Sequence, residues 1–168
     1  ALEHASDKSG ISAITGRMVY EFNGSACEGY TTTFRFVTRI DTADTTRLTD
    51  QQTTTFEDAD GKNFSFVTKS YVDQALDKEV KGTATREGNT VKVSLEKPES
   101  KSIDLATTLF PTQHLLDLLG KADLGDTFYE TSLYDGSEDA DRAMTTTVVI
   151  GKRAEDGKGD PEAPALAS

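Results

Sequence analysis

The run from Gly16 to Phe36, GRMVYEFNGSACEGYTTTFRF, limits what this chain can fold into more than any other stretch. It holds two long alternating segments, joined at Asn23-Gly24-Ser25 and followed by the sole cysteine, Cys27. Strand residues alternate between faces, so Gly16, Met18, Tyr20 and Phe22 fall on one face of the first segment, and Arg17, Val19 and Glu21 on the other. Tyr30, Thr32, Phe34 and Phe36 repeat the pattern in the second. The spacing predicts strand, turn, strand, with Asn-Gly supplying a type I′ reversal. It also predicts that Tyr20, Phe22, Phe34 and Phe36 enter one apolar core or trough, where an acidic replacement at Phe36 would cost stability heavily.

With 168 residues the chain is long enough for one domain with a core. A hydrophobic content of 35% is compatible with folding, and 18 basic against 29 acidic residues give a net charge of -11. That charge is repelled by phosphate backbones and anionic head groups, which argues against nucleic acid and against electrostatic docking to a membrane. No run approaches the roughly 18 apolar residues of an integral membrane span. The first residues, ALEHASDKSG, have neither a basic start nor an apolar core segment, so any export signal is expected to have been removed. One cysteine fits either a buried thiol or pairing outside this segment, and leaves the redox compartment open. Asn23-Gly24-Ser25 and Asn63-Phe64-Ser65 match the glycosylation sequon, but the first is read as a turn.

Further hairpins follow. Thr46 to Glu57 and Asn63 to Tyr71 flank Asp58-Ala59-Asp60-Gly61. Leu76 to Thr85 turns through Glu87-Gly88-Asn89 into Val91, Val93 and Leu95. Thr127 to Tyr134 and Met144 to Ile150 are joined by the acidic connection at Asp135 to Asp139. One helix is predicted, from Thr112 as N-cap to about Leu119, with Leu115, Leu116, Leu119 and Ala122 on one stripe and Gly120 ending it. So short a helix must pack on the sheet. The expected fold is mainly β, a strongly bent antiparallel meander (spiral or half-barrel) with one short helix on its concave face. Residues 1–151 form that domain, expected to be incomplete, and 152–168 a Gly/Pro/Ala-rich linker or tail.

No nucleophile elbow, phosphate loop or metal motif is present. Of the two histidines, His4 and His114, the second reads as a structural polar residue in the helix, and nothing in the spacing joins it to Cys27 as a base to a nucleophile. Asp135, Glu138, Asp139 and Asp141 have the oxygen chemistry of a calcium site, but their spacing reads better as a solvated connection. The expectation is no catalytic residue, no metal and no cofactor. The aromatic set Tyr20, Phe22, Phe34, Phe36, Phe64, Phe66, Phe128 and Tyr134 either fills the core or lines a ligand cavity.

Four stretches, GRMVYEFNGSACEGYT with FRF after it, QTTTFEDADGKNFSF, LFPTQHLLDLL and YDGSEDADRAMTTTVVIG, together resemble the cell-envelope integrity protein family of alphaproteobacteria, over most of Gly10 to Gly151. The resemblance implies a periplasmic, non-enzymatic β-spiral similar to lipoprotein carriers that hold acyl chains. It also implies a disulfide between Cys27 and a second cysteine near the family's C-terminus, outside this segment. The function expected is support of envelope integrity by binding an apolar ligand, a lipoprotein or another envelope protein. Tyr20, Phe22, Phe34, Phe36, Phe64, Phe66, Leu115 and Leu119 are the candidate ligand-binding residues. An amphiphile or lipoprotein is the expected partner, and a periplasmic tetratricopeptide-repeat protein a further one. The rivals are an interaction scaffold with a solid core and, more remotely, a hydrolase of a wall polymer.

Overall fold

The computed structural model describes residues 10–152. His4 and the tail from residue 153 lie outside the described residues. Seven strands run in chain order as one antiparallel meander: β1 (Ile11–Ser25), β2 (Gly29–Thr42), β3 (Thr46–Glu57), β4 (Asn63–Val72), β5 (Ala75–Glu87), β6 (Thr90–Lys97) and β7 (Lys101–Ala106). A helix, α1 (Pro111–Leu124), follows, then a separate hairpin of β8 (Phe128–Leu133) and β9 (Met144–Val149). Among the described residues β1 and β7 are the two edges of the large sheet, which is open rather than closed into a barrel.

The register carries the side-chain alternation across every strand. Tyr20 stands opposite Phe34 and Met18 opposite Phe36; Phe34 in turn faces Thr53, and Tyr30 faces Glu57. Glu57 pairs with Phe64 and Thr55 with Phe66, and these lead to Ala84 and Gly82, then to Val93 and Leu95, then Ile103 beside Val93. Directly opposed residues share a face, so all of these lie on one side of the sheet, called the inner face below.

Three expectations are corrected. Asn23-Gly24 does not make the first reversal, because β1 continues through it to Ser25 and the chain turns over Ala26 to Glu28. Gly24 instead serves a close backbone approach: a Cβ there would sit 2.1 Å from the carbonyl oxygen of Gly29. The helix runs past Gly120 to Leu124 and is closed by Gly125 in the left-handed region, whose N–H donates to Ala122 O at 3.0 Å. Its N-cap position is Phe110 with Pro111 next, and Thr112 lies inside the first turn. Finally, β7 is an additional strand that the sequence pattern does not announce; its Ile103 and Leu105 are two alternating inward residues in a six-residue strand, a faint signal. The Asp58 to Gly61 reversal is as expected, with Gly61 at φ +61° and its N–H donating to Asp58 O. Asp58 Oδ1 braces it by accepting the Lys62 and Asn63 N–H groups at 2.7 and 3.1 Å.

Candidate functional site

The inner face is divided by its own composition. Over β4 to β6 it is covered. Phe64 and Phe66 stack at 5.6 Å, Phe110 stacks on Phe64 at 5.2 Å, and Tyr134 meets both Phe64 and Phe66 edge-on. Val80, Ala84, Val91, Val93 and Leu95 complete this core, in which Phe64 and Phe66 are 1% and 2% exposed. The cover is the Leu109–Phe110 segment and the chain from Tyr134 to Ala140, held together by the Tyr134 N–H to Leu109 O and the Tyr134 hydroxyl to Ala140 O, both 2.9 Å. Burial raises the Tyr134 hydroxyl's pKa, helped by nearby Asp135 and Asp141, so the phenol stays a neutral donor.

The acidic connection is a lid on the core through its backbone and small residues, while Glu138, Asp139 and Asp141 stay exposed as the expected solvated connection requires. A Cβ on Gly136 would lie 2.6 Å from the Phe66 ring, and Ala140 is buried. Its charges point outward, where Asp139 accepts from Lys78 at 2.6 Å and Arg142 pairs with Glu138. No cluster of metal-binding groups occurs among the described residues.

Over β1 and β2 the same face is open. Tyr20 is 57% exposed, and Met18, Phe22 and Phe36 are also exposed, with Phe34 half-buried. Phe22 stacks on Tyr30 at 5.6 Å and Phe34 on Phe36 at 6.3 Å, so the rings form a surface rather than isolated spots. The expected shared face is present, but the expected burial at Phe36 is not: with the ring 40% exposed, an acid there remains hydrated and the heavy penalty disappears. Between the two halves, β3 presents Gln51, Thr53, Thr55 and Glu57 inward, and Thr53 bonds to Thr68 at 3.1 Å.

The eight candidate ligand residues thus fall into three groups. Phe64 and Phe66 are core, with no face left for a ligand; Tyr20, Phe22, Phe34 and Phe36 form the open aromatic surface. Leu115 and Leu119 are exposed on α1, along with Leu116. The leucine stripe does not dock the helix. What holds α1 is its polar and aromatic side: His114 stacks on Tyr129 at 5.7 Å, Lys121 lies over that ring, and the Tyr129 hydroxyl donates to Asp117. Phe128, the other aromatic of that hairpin, is exposed.

Sequence reasoning missed Glu57, the polar residue that pins the helix to the sheet. It is 1% exposed and its carboxylate accepts the N–H groups of Thr112 at 2.7 Å and Gln113 at 3.0 Å, capping α1 from a strand 55 residues away. Burial pushes its pKa up, and the two N–H bonds and the charge of Arg86 pull it back only in part. Arg86 lies over Phe110 and donates Nη2 to Thr108 O at 2.9 Å. The inward alternation of β3 could have shown that Glu57 faces the core; nothing local shows that it meets Phe110-Pro111-Thr112. Cys27 is free and exposed in the β1–β2 turn, and no hydrogen bond joins it to His114. The disulfide expected for it remains a proposal.

Comparison with known proteins adds the following. The family described as EipB-like matches residues 1–167. The cell envelope integrity protein EipB of Brucella abortus (strain 2308) is 61% identical over 153 residues, covering 90% of this chain and 55% of the relative. The crystal structure of a beta-barrel-like protein of a domain of unknown function, also from Brucella abortus, aligns with a TM-score of 0.86 at 60% identity, over 90% of this chain and 64% of that one. The chain spans about half the length of the curated relative it matches.

Proposed function

The chain belongs to the EipB-like family, and from that premise we propose that it acts in the periplasm to support cell-envelope integrity by binding, without catalysis, an amphiphile or the lipidated segment of an envelope protein. The observation that carries this reading is the open aromatic surface of Met18, Tyr20, Phe22 and Phe36 beside a completed core. A core needs its aromatics covered; here Phe22 stacks on Tyr30 and Phe36 on Phe34, yet the patch is left to solvent, which is how an apolar recognition patch is made. Each buried methylene contributes about 0.8 kcal/mol, so a ten-carbon tail supplies about 8 kcal/mol before the cost of immobilisation, and affinity grows with tail length. The net charge of -11 disfavours acidic head groups. The disulfide of Cys27, a periplasmic tetratricopeptide-repeat partner and a wider ligand surface including Leu115 and Leu119 belong to the same proposal.

Titration calorimetry with lysophosphocholines of increasing tail length, each below its micellar concentration, tests it. Affinity should rise with each added methylene and fall when Tyr20 and Phe22 are both changed to serine. Affinity independent of tail length removes the ligand reading and leaves a scaffold that recruits partners by its surface.

A further inference from the structure

We propose that the outer face of the sheet carries a binding site of its own, a hollow over β2, β3 and β4 that takes one neutral pyranose ring of a glycan. The hollow has a volume of about 260 Å³. That is just under the roughly 300 Å³ at which sites for drug-sized ligands begin, so it suits one ring and not an extended molecule. Val37, Asp50 and Tyr71 stand directly opposite one another across the three strands, on the side turned away from Tyr20 and Phe36. Each of these strands is paired on both sides, so the hollow depends on no sheet edge, and it stands without the amphiphile reading.

The lining selects the ligand. Val37, Leu48 and the Tyr71 ring give the hollow an apolar part, which suits the C–H face of a sugar. Its polar part is already assembled: Arg35 donates Nε and Nη2 to Asp50 at 3.0 and 2.7 Å, and Gln52 donates Nε2 to the same carboxylate at 3.0 Å. The Arg35 bonds hold the Asp50 carboxyl below its ordinary range, so it stays an ionised acceptor. A donor fork and an acceptor therefore lie side by side, which matches two neighbouring hydroxyls, each able to give and to accept. The pair is neutral as a unit and has no surplus charge to draw an anion or a cation. A hydrocarbon would take water from Arg35, Asp50 and Gln52 and return no hydrogen bond. A peptide is disfavoured, because the strands beneath offer its backbone no unpaired groups.

The turn beside the hollow points the same way. Asp73 and Gln74 make the two-residue reversal between β4 and β5, and both have positive φ, +50° and +70°. Such a turn ordinarily has glycine at its second position, since a side chain there is strained. This chain places glutamine there, and that glutamine lines the hollow. Asp73 pins the turn to β3: its Oδ1 accepts the Leu48 N–H at 2.9 Å, and its own N–H donates to Leu48 O at 2.8 Å. A strained residue held at the rim of a preassembled polar pair is kept for its side chain, not for the fold.

The experiment is NMR titration of the 168-residue chain with chitotriose and, separately, with maltotriose. At least one of them should move the Tyr71 ring and Leu48 methyl signals with a Kd on the order of 1 mM, while the Tyr20 and Phe22 rings on the other face stay still. Gln74→Gly should raise the melting temperature by relieving the turn, yet weaken that sugar roughly three- to tenfold. A residue with a purely structural role would move the first quantity and not the second. Arg35→Lys keeps the charge and loses the fork; it should weaken binding roughly tenfold or more, with the circular dichroism of the parent. The inference is overturned if neither sugar moves the Tyr71 ring, or if Gln74→Gly binds as the parent does. It is equally overturned if inorganic phosphate or trialanine moves the same signals as strongly as the sugars, which would make the hollow an anion site or a peptide site.

Discussion

The β4–β6 half and the β1–β2 half of the inner face are built from the same kind of residue on the same alternation, yet one is core and the other surface. Phe64 and Phe66 are sealed by Phe110, Tyr134 and Ala140; Tyr20, Phe22 and Phe36 have no such cover among the described residues. The difference lies in what is brought to the face from far along the chain, not in the strands. Phe110 arrives because Glu57 fixes the start of α1, and Tyr134 because the acidic connection folds back over Phe66. Aromatic content along a strand therefore measures capacity for burial, and long-range connections decide where burial happens.

Truncation should separate the halves most sharply. Phe66→Ala removes a ring from a fully packed site and should cost about 3–5 kcal/mol, whereas Phe36→Ala should cost under about 1 kcal/mol. Urea midpoints of the two variants check this, and equal losses would abolish the distinction.

Two glycines sharpen it at the backbone. A Cβ at Gly82, in the closed half, would come within 2.8 Å of Ser94 O and 2.9 Å of the Phe66 ring, so Gly82→Ala should cost about 1–3 kcal/mol. In the open half a Cβ at Gly16 would come no nearer than 3.4 Å to the Phe36 ring and 3.5 Å to Val37 O, and Gly16→Ala should be neutral or stabilise by up to about 1 kcal/mol. Thermal melts of the two alanine variants decide it.

The link between cover and core should show a pH signature. Burial raises the Glu57 pKa in the folded chain above its unfolded value, so the folded state holds that proton more tightly. The stability this contributes is fully present below the ordinary glutamate range, about 4.3, and is lost as pH rises through the raised value. The stability of the parent relative to Glu57→Gln should therefore shift in the parent's favour on acidification from pH 8 to pH 5, which paired urea titrations measure. A difference independent of pH would show that Glu57 is not the buried carboxylate described.

The smallest effect belongs to the open half. Tyr20→Ser should lower stability by only about 0.2–1 kcal/mol, the worth of a cross-strand aromatic pair with Phe34, while weakening amphiphile binding.

The meander and its faces are legible in the sequence because alternation is a local property: the strand from Thr46 to Glu57 has the bounds its pattern predicts, and Tyr20 shares a face with Phe34 as its spacing requires. Motifs at the level of the family are likewise legible, since GRMVYEFNGSACEGY and YDGSEDADRAM are contiguous. The division of the face is not legible. It depends on contacts across tens of residues, such as Glu57 with Thr112 and Gly136 with Phe66, which no window of sequence contains. The helix end is misplaced by sequence reasoning for a local reason: Gly120 is a plausible stop, but Gly125 has the left-handed geometry that closes the helix.

The central claim is that the open half of the inner face binds an apolar tail while the closed half stays dry. It is tested most directly by NMR of the chain with a lysophosphocholine carrying a nitroxide at its tail end. The account predicts strong broadening of the Met18 methyl and of the Tyr20, Phe22 and Phe36 rings, with Phe64, Phe66 and Val93 unaffected. Broadening of the Phe64 and Phe66 rings to the same extent, or of no ring at all, would contradict it.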